Sequence, residues 1–180
     1  PFLRTAHHSS QEGEEIPCCG GTSRTLEAPV RIKGKRGLFA RKGDVLVTLL
    51  DKSIKVWNAK SRSFRTEFPM ETDLGFGTPL APSDDGNILA VGSNPLTEID
   101  NAIRLWDTQN GKLLGICKGH TQGVWFLGLS PDASTLASAS SDCTLRFWDT
   151  RTRQELLSIQ RLANPINDIL LSPDGNLLAA

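Results

Sequence analysis

Three segments of this chain end alike, and that recurrence limits the fold more than any other feature. They read KSIKVWNAKSRSF around Trp57, NAIRLWDTQNGKL around Trp106 and CTLRFWDTRTRQEL around Trp148. The tryptophans lie 49 and 42 residues apart. A second marker keeps the interval: SPDAS at Ser130 and SPDGN at Ser172 are 42 residues apart, and PSDDGN at Pro82 is a looser copy. A chain that repeats in this way builds one supersecondary unit several times and stacks the copies.

Within each unit the apolar residues alternate, which is the period of a strand. Ile54 and Val56 fall on one side, Lys55 and Trp57 on the other; Ile103/Leu105 and Leu145/Phe147 repeat the pattern. Pro-Asp-Gly-type clusters and Asp-Thr or Asn-Gly steps separate the runs and supply turn chemistry. Each unit therefore predicts four short antiparallel strands, in the third unit at roughly 123–129, 135–140, 144–149 and 154–159. No long segment carries a helical period. Four strands in roughly 40–45 residues predict an all-β chain built of propeller blades.

These motifs resemble the WD40 repeat family. The third unit matches best, with GH at 119–120, VWFLGLSPDASTLASASSD at 124–142 and TLRFWD at 144–149. The second keeps LAVGSN and IRLWDT but has no upstream GH; the first keeps LVTLLDKSIKVWN, with Asn58 in place of the aspartate. A fourth unit starts at NPINDILLSPDGNLLAA. The resemblance covers 29–180 and implies a partial propeller with blades at about 35–69, 70–118 and 119–160, and an incomplete one at 161–180. Family rings usually close with about seven blades, so the expectation is a natural protein that continues past Ala180, with the missing remainder needed for ring closure. APVRIKG at 28–34 is a candidate for the strand that completes a last blade. Residues 1–28 have few aliphatics and clustered acids, and read as a disordered arm or linker.

His120, Ser138 and Asp142 are the ingredients of a hydrolase triad. The resemblance gives them another role, as a structural tetrad with Trp148. A buried indole N–H needs an acceptor, a serine hydroxyl accepts from it while donating to imidazole, and the aspartate fixes the imidazole tautomer. A serine so occupied is a poor nucleophile, and no GxSxG motif is present. The first unit holds a partial set, Thr48, Asp51 and Trp57, without the histidine; the second has Trp106 but Val91 at the hydroxyl position. Blades one and two are thus expected to be less rigid, or held by other contacts.

Other chemistry is sparse. His7-His8 and Cys18-Cys19 match no standard zinc spacing, so no metal or cofactor is expected. With Cys117 and Cys143 they form no disulfide framework, and reduced thiols fit better. GFGTPL at 75–80 lacks the Lys-Ser/Thr of a phosphate loop and takes the first-strand slot of blade two. No apolar run approaches the ~18 residues of a membrane span. These features favour an intracellular, cytoplasmic protein.

The net charge is zero, with 20 basic and 20 acidic residues, which argues against nucleic acid as the main partner. The total hides an asymmetry: residues 31–65 carry eleven bases and two acids, and 67–110 carry one base and eight acids. Lys33, Lys35 and Arg36 are candidates for docking an acidic partner, a phosphate or an anionic lipid. In the WD40 family, partners often dock on the rim formed by the loop before the first strand and the loop between strands two and three. On that rim lie Thr121, Gln122 and an insertion, NPLTEIDN at 94–101, with Leu96, Glu98 and Asp100. Trp125 and Phe126 are adjacent, so either one aromatic reaches the rim or channel as a hot spot, or both pack between blades. The reading that follows is a non-catalytic scaffold presenting rim loops to protein partners in a complex. The alternatives are a regulatory or targeting propeller of a larger enzyme, such as a kinase fusion, and a nucleic-acid or anionic-lipid binder acting through blade one.

Overall fold

The computed structural model describes residues 36–40, 42–50, 52–70, 77–93, 100–160, 170–171 and 178–179. Every element among them is a strand. The first sheet holds β1 (Arg36–Phe39), β2 (Val45–Leu49), β3 (Ser53–Asn58) and β4 (Ser63–Pro69). The second holds β5 (Leu80–Pro82), β6 (Ile88–Gly92), β7 (Ile103–Asp107) and β8 (Leu113–Cys117). The third holds β9 (Val124–Leu129), β10 (Thr135–Ser140), β11 (Leu145–Asp149) and β12 (Glu155–Ile159). Strands β13 (Leu170–Leu171) and β14 (Leu178–Ala179) form a separate antiparallel pair.

The expected all-β, blade-like architecture is therefore present, three times over and antiparallel throughout. Each strand of the third unit begins within one residue of its expected start. One detail differs. The first strand of blade two is the short β5, so of the described residues of GFGTPL, 77–80, only Leu80 is in a strand. Pro79 accepts from the Gly92 amide at 3.0 Å but has no N–H to return to the ladder, so the strand starts only at Leu80.

The turns repeat as closely as the strands. Between the first and second strands the chain returns through Gly43, Gly86 or Ala133, all at positive φ (73°, 69° and 57°). In each turn the amide of that residue donates to a carbonyl three residues earlier: Ala40, Ser83 and Ser130. A carboxylate finishes the turn in blades two and three. Asp85 accepts from Ser83 Oγ at 2.6 Å, and Asp132 accepts from Ser130 Oγ at 2.6 Å. The outer hairpin repeats too, with a bulge just before Trp57, Trp106 and Trp148 in their pairing with the last strand.

Successive sheets pack face to face. Val47, Leu49, Ile54, Val56 and Phe68 of the first form one core with Leu89 and Val91 of the second. Ala90, Ile103, Leu105 and Cys117 of the second form the next with Val124, Leu136 and Trp148 of the third. Trp106 and Trp148 thus each lean on the outer strand of the preceding sheet. Phe68 stacks on Trp106 with centroids 4.9 Å apart and planes 11° from parallel, the offset geometry that aromatic pairs prefer. Full burial of each aliphatic side chain contributes about 1.5–3 kcal/mol, so these two seams hold the three sheets together.

Charge is matched locally. A base stands two residues before each tryptophan, and each has an acid: Lys55 with Glu67 at 3.5 Å, Arg104 with Asp100, and Arg146 with Glu155 at 2.7 Å. Lys60 reaches Asp44 at 2.8 Å. Two bases of blade one, Lys55 and Lys60, are thus paired inside that blade.

Candidate functional site

The end of blade three where β9 begins and β10 turns into β11 gathers most of the polar side chains the sequence singles out. His120 precedes β9, Ser138 lies in mid-β10, Asp142 is in the β10–β11 turn, and Trp148 is near the end of β11. Trp148 Nε1 donates to Ser138 Oγ at 2.8 Å. Ser138 Oγ lies 2.8 Å from His120 Nε2, and His120 Nδ1 lies 2.9 Å from Asp142 Oδ2. A carboxylate only accepts, so Nδ1 carries the proton and Nε2 accepts from the serine hydroxyl. The bonds then run one way, from indole to hydroxyl to imidazole to carboxylate.

Ser138 stands in triad register with His120 and Asp142, but its surroundings oppose nucleophilic chemistry. It has no exposed surface, and its oxygen already accepts from Trp148. The imidazole edge meets the Trp148 ring with centroids 6.0 Å apart. Burial lowers the His120 pKa below its ordinary value, against the raising effect of Asp142. Asp142 goes the other way: burial opposes ionisation, but hydrogen bonds from Thr144, the Thr121 amide and His120 bring it to about 2. A neutral imidazole beside a fixed carboxylate is the outcome.

Several supporting residues were not singled out from the sequence. Thr144 Oγ1 donates to Asp142 Oδ1 at 2.6 Å and lies 3.2 Å from His120 Nδ1. Ser140 Oγ donates to the Gln122 carbonyl at 3.0 Å and accepts from the Asp142 amide at 3.1 Å. The Asp142 carboxylate also accepts from the Thr121 amide at 2.9 Å. These bonds tie the loop before β9 to the β10–β11 loop. The hydroxyl-rich run SASSDCT was the available signal. Gly119 has its reason here as well: a Cβ on it would lie 2.6 Å from Arg146 Nη1 and 3.1 Å from Trp148 Cη2.

The aspartate of each Trp-Asp pair serves the outer turn. Asp149 Oδ1 accepts from the amides of Arg151 and Thr152 at 2.9 and 2.7 Å. Asp107 accepts from the Gln109 amide at 2.7 Å, and Asn58 holds the Ser61 amide at 3.0 Å.

The other two blades differ in the polar chain. In blade one, Trp57 Nε1 donates to Thr48 Oγ1 at 2.9 Å, and that hydroxyl faces the Lys55 carbonyl at 3.4 Å. In blade two, Leu89 pairs with Trp106 as Leu136 pairs with Trp148, so Val91 is the counterpart of Ser138. The indole N–H of Trp106 is buried with no partner among the described residues.

On the rim, Trp125 is 40% exposed, whereas Phe126 is half-buried against Ala137, Ala139 and Leu145. Among the described residues, only Phe126 of the two aromatics joins a core cluster. Ala139 pairs with Phe126 and Ser140 with Val124, which leaves Trp125 as the extra residue of a bulge. Its Nε1 donates to Ser141 Oγ, which pins the ring. Thr121 and Gln122 are exposed beside it in sequence. Asp100 is exposed but engaged with Arg104 and with the Ala102 amide. Arg36 Nη1 donates to the Thr78 carbonyl at 3.2 Å and so joins blades one and two. Asp51, Leu96, Glu98, Lys33, Lys35, His7, His8, Cys18 and Cys19 lie outside the described residues, as does the 28–34 segment. Among the described residues, Cys117 and Cys143 are free thiols, and no group of three or more His, Cys, Asp or Glu side chains could hold a metal ion. No helix among them is long and apolar enough to cross a membrane.

Comparison with known proteins agrees with this geometry. The family described as "WD domain, G-beta repeat" matches residues 111–149. That stretch begins in the outer hairpin of blade two and ends on β11, so the sequence repeat straddles two blades. A protein of Aspergillus terreus named "Eukaryotic translation initiation factor 3 subunit I" is 33% identical over 103 residues, covering 57% of this chain and 29% of the relative. Proteins of the same name from Scheffersomyces stipitis and Neurospora crassa are 30% and 31% identical over 81 and 101 residues, covering 45% and 56% of this chain and 23% and 28% of the relatives. The chain thus spans under a third of the length of the curated relatives it matches.

Proposed function

We propose that this chain, which matches the WD domain, G-beta repeat family over residues 111–149, is a non-catalytic scaffold. It presents rim loops to protein partners in a multiprotein complex. The observation that carries the reading is the likeness to proteins named as subunits of translation initiation factor 3. A propeller suits that task because rigid sheets hold short loops in fixed positions.

Trp125 is the anchor in this proposal. Its one polar atom is already used by Ser141, so the exposed part of the ring is an apolar contact surface. Aromatic anchors flanked by adaptable polar groups dominate many interfaces. Thr121 and Gln122 provide such groups. His120, Ser138, Asp142 and Trp148 act as a structural latch beneath the loop, and Thr48 with Trp57 does so in part for blade one. No cofactor or metal is called for. A cytoplasmic location, and the division of the chain into an arm at 1–28 and a partial propeller at 29–180, belong to the same proposal.

The test is co-purification of the full-length protein with the other subunits of translation initiation factor 3, comparing wild type with Trp125→Ala. The expected result is a stable assembly that Trp125→Ala weakens at least about tenfold, the scale of an interface hot spot. A protein that folds and does not assemble with those subunits overturns the translation-factor reading. Unchanged assembly in Trp125→Ala removes the anchor role.

A further inference from the structure

Five buried side-chain polar atoms have no hydrogen-bond partner among the described residues, and four of them belong to blade two: Thr78 Oγ1, Ser93 Oγ, Asn101 Oδ1 and Trp106 Nε1. The fifth is Ser158 Oγ in blade three. Nothing in the general plan of the sheets accounts for this, because the three share one topology, one turn pattern and one bulge position. The difference lies in individual side chains. Blade three meets its indole N–H with Ser138, and blade one meets its own with Thr48. Blade two has Val91, buried at 1% exposure, and a methyl group accepts no hydrogen bond.

Thr78 and Ser93 flank the Pro79–Gly92 pairing, where the Gly92 amide donates to the Pro79 carbonyl at 3.0 Å. Ser93 and Asn101 bracket the β6–β7 connection, and the Ser93 amide donates to the Ala102 carbonyl at 3.0 Å. Three orphaned groups therefore lie at one end of the blade, and the fourth is on β7. Leaving such groups unpaired in a dry interior raises the energy of the closed state, whereas water meets them all once the blade opens.

We propose that blade two is the poised element of this chain, the sheet that opens locally before its neighbours do. The inference runs against position. Blade two has a sheet packed on each face, through the Phe68–Trp106 stack on one side and the Cys117–Trp148 cluster on the other. By packing alone it would be the best protected of the three. Its opening frees the rim end that holds Thr78, Ser93 and Asn101, so a partner that supplied hydrogen bonds there would close it.

Hydrogen exchange on the full 180-residue chain tests this. Amides of β6 and β7 are expected to exchange about tenfold or more faster than those of β10 and β11, and faster than those of β2 and β3. Blade two being the slowest, or the three blades exchanging alike, overturns the proposal. Val91→Thr tests the cause. Blade one shows that threonine without a histidine satisfies the indole, since Thr48 accepts from Trp57 and faces the cross-strand Lys55 carbonyl. In Val91→Thr the new hydroxyl is expected to slow exchange in β6 and β7 several-fold, leave β10 and β11 unchanged, and move the Trp106 indole proton resonance downfield. A folded variant with unchanged blade-two exchange overturns the assignment to the indole. Should that variant not fold, the wild-type ranking of the blades decides alone.

Discussion

Trp148 donates its indole proton to Ser138 at 2.8 Å, and the two side chains are 1% and 0% exposed. Ser138 in turn serves His120 at 2.8 Å, so its oxygen is shared by two partners that have no water to fall back on. Removing that oxygen orphans both. Ser138→Ala is expected to lower unfolding stability by about 1–3 kcal/mol, read as a lower urea midpoint with an unchanged slope. A midpoint within error of wild type would mean that the indole and imidazole find each other or new partners, and the one-way chain would not be what holds blade three.

The parts of this chain that were legible from sequence are those marked by a period. Strand alternation and the recurring turn clusters predicted four strands for each of the three sheets and located those of the third, because burying one face forces every second residue to be apolar. The polar chain of blade three was legible only through the family resemblance, since a histidine, serine and aspartate in one segment also spell a hydrolase. Thr144 and Ser140 escaped notice, and Gly119 was read only as part of the GH motif, for a physical reason. They act through a turn or through close approach, and neither leaves a periodic trace. The exposure of Trp125 was undecidable from alternation because it occupies a bulge, which shifts the facing of the strand by one residue. The unpaired Trp106 was half legible: Val91 was visible as a misfit, but not whether another group had taken its place.

The buried imidazole makes stability depend on pH. Desolvation holds the His120 pKa below the 6.5 of an unperturbed histidine, with Asp142 only partly offsetting it. Below pH 6.5 the unfolded chain therefore takes up a proton that the folded chain resists, and stability falls as pH drops from there toward the folded pKa. Above pH 6.5 this contribution is complete. Asp142, held at about 2 against an ordinary 3.8, adds a second loss as pH falls from 3.8 through 2. Asp132, also at about 2, shares that lower window, so the upper one is diagnostic. Urea midpoints measured from pH 8 to pH 4 are expected to fall for wild type and to fall less for His120→Gln, which has nothing to protonate there. Parallel curves for the two proteins would place the pH dependence elsewhere.

The three first hairpin turns form a natural mutation series. Gly86 needs its glycine twice over, with φ at 69° and a Cβ position only 2.5 Å from Val45 of the preceding sheet. Ala133 adopts the same conformation, φ 57°, with a side chain that disfavours it. A non-glycine residue in this region costs about 1–2 kcal/mol, part of which glycine gives back through its looser unfolded state. Ala133→Gly is thus expected to stabilise by about 0.5–1 kcal/mol. Gly86→Ala is expected to destabilise by more than the conformational term alone, because Val45 must also move. Thermal unfolding of both variants checks the pair. Equal and opposite shifts would mean that the contact with Val45 contributes nothing.

Gly119 offers a test of how closely the loop before β9 is fitted to the third sheet. Its missing side chain is what admits the Arg146 guanidinium and the edge of Trp148, at 2.6 and 3.1 Å from where a Cβ would be. The guanidinium is the softer of the two obstacles, since it ends a flexible side chain, while Trp148 is fixed by packing and by Ser138. Gly119→Ala should therefore push Arg146 aside first, and with it the 2.7 Å bond to Glu155. Overpacking of this kind costs about 1–3 kcal/mol. A double-mutant cycle separates the two effects. In the wild-type background Glu155→Ala is expected to cost up to about 1 kcal/mol, the ordinary value of a partly exposed pair, and in the Gly119→Ala background to cost close to nothing. If Glu155→Ala costs the same in both backgrounds, Arg146 has kept its bond and the strain has fallen on Trp148 instead. The loss should then appear in the protection of the Trp148 indole proton.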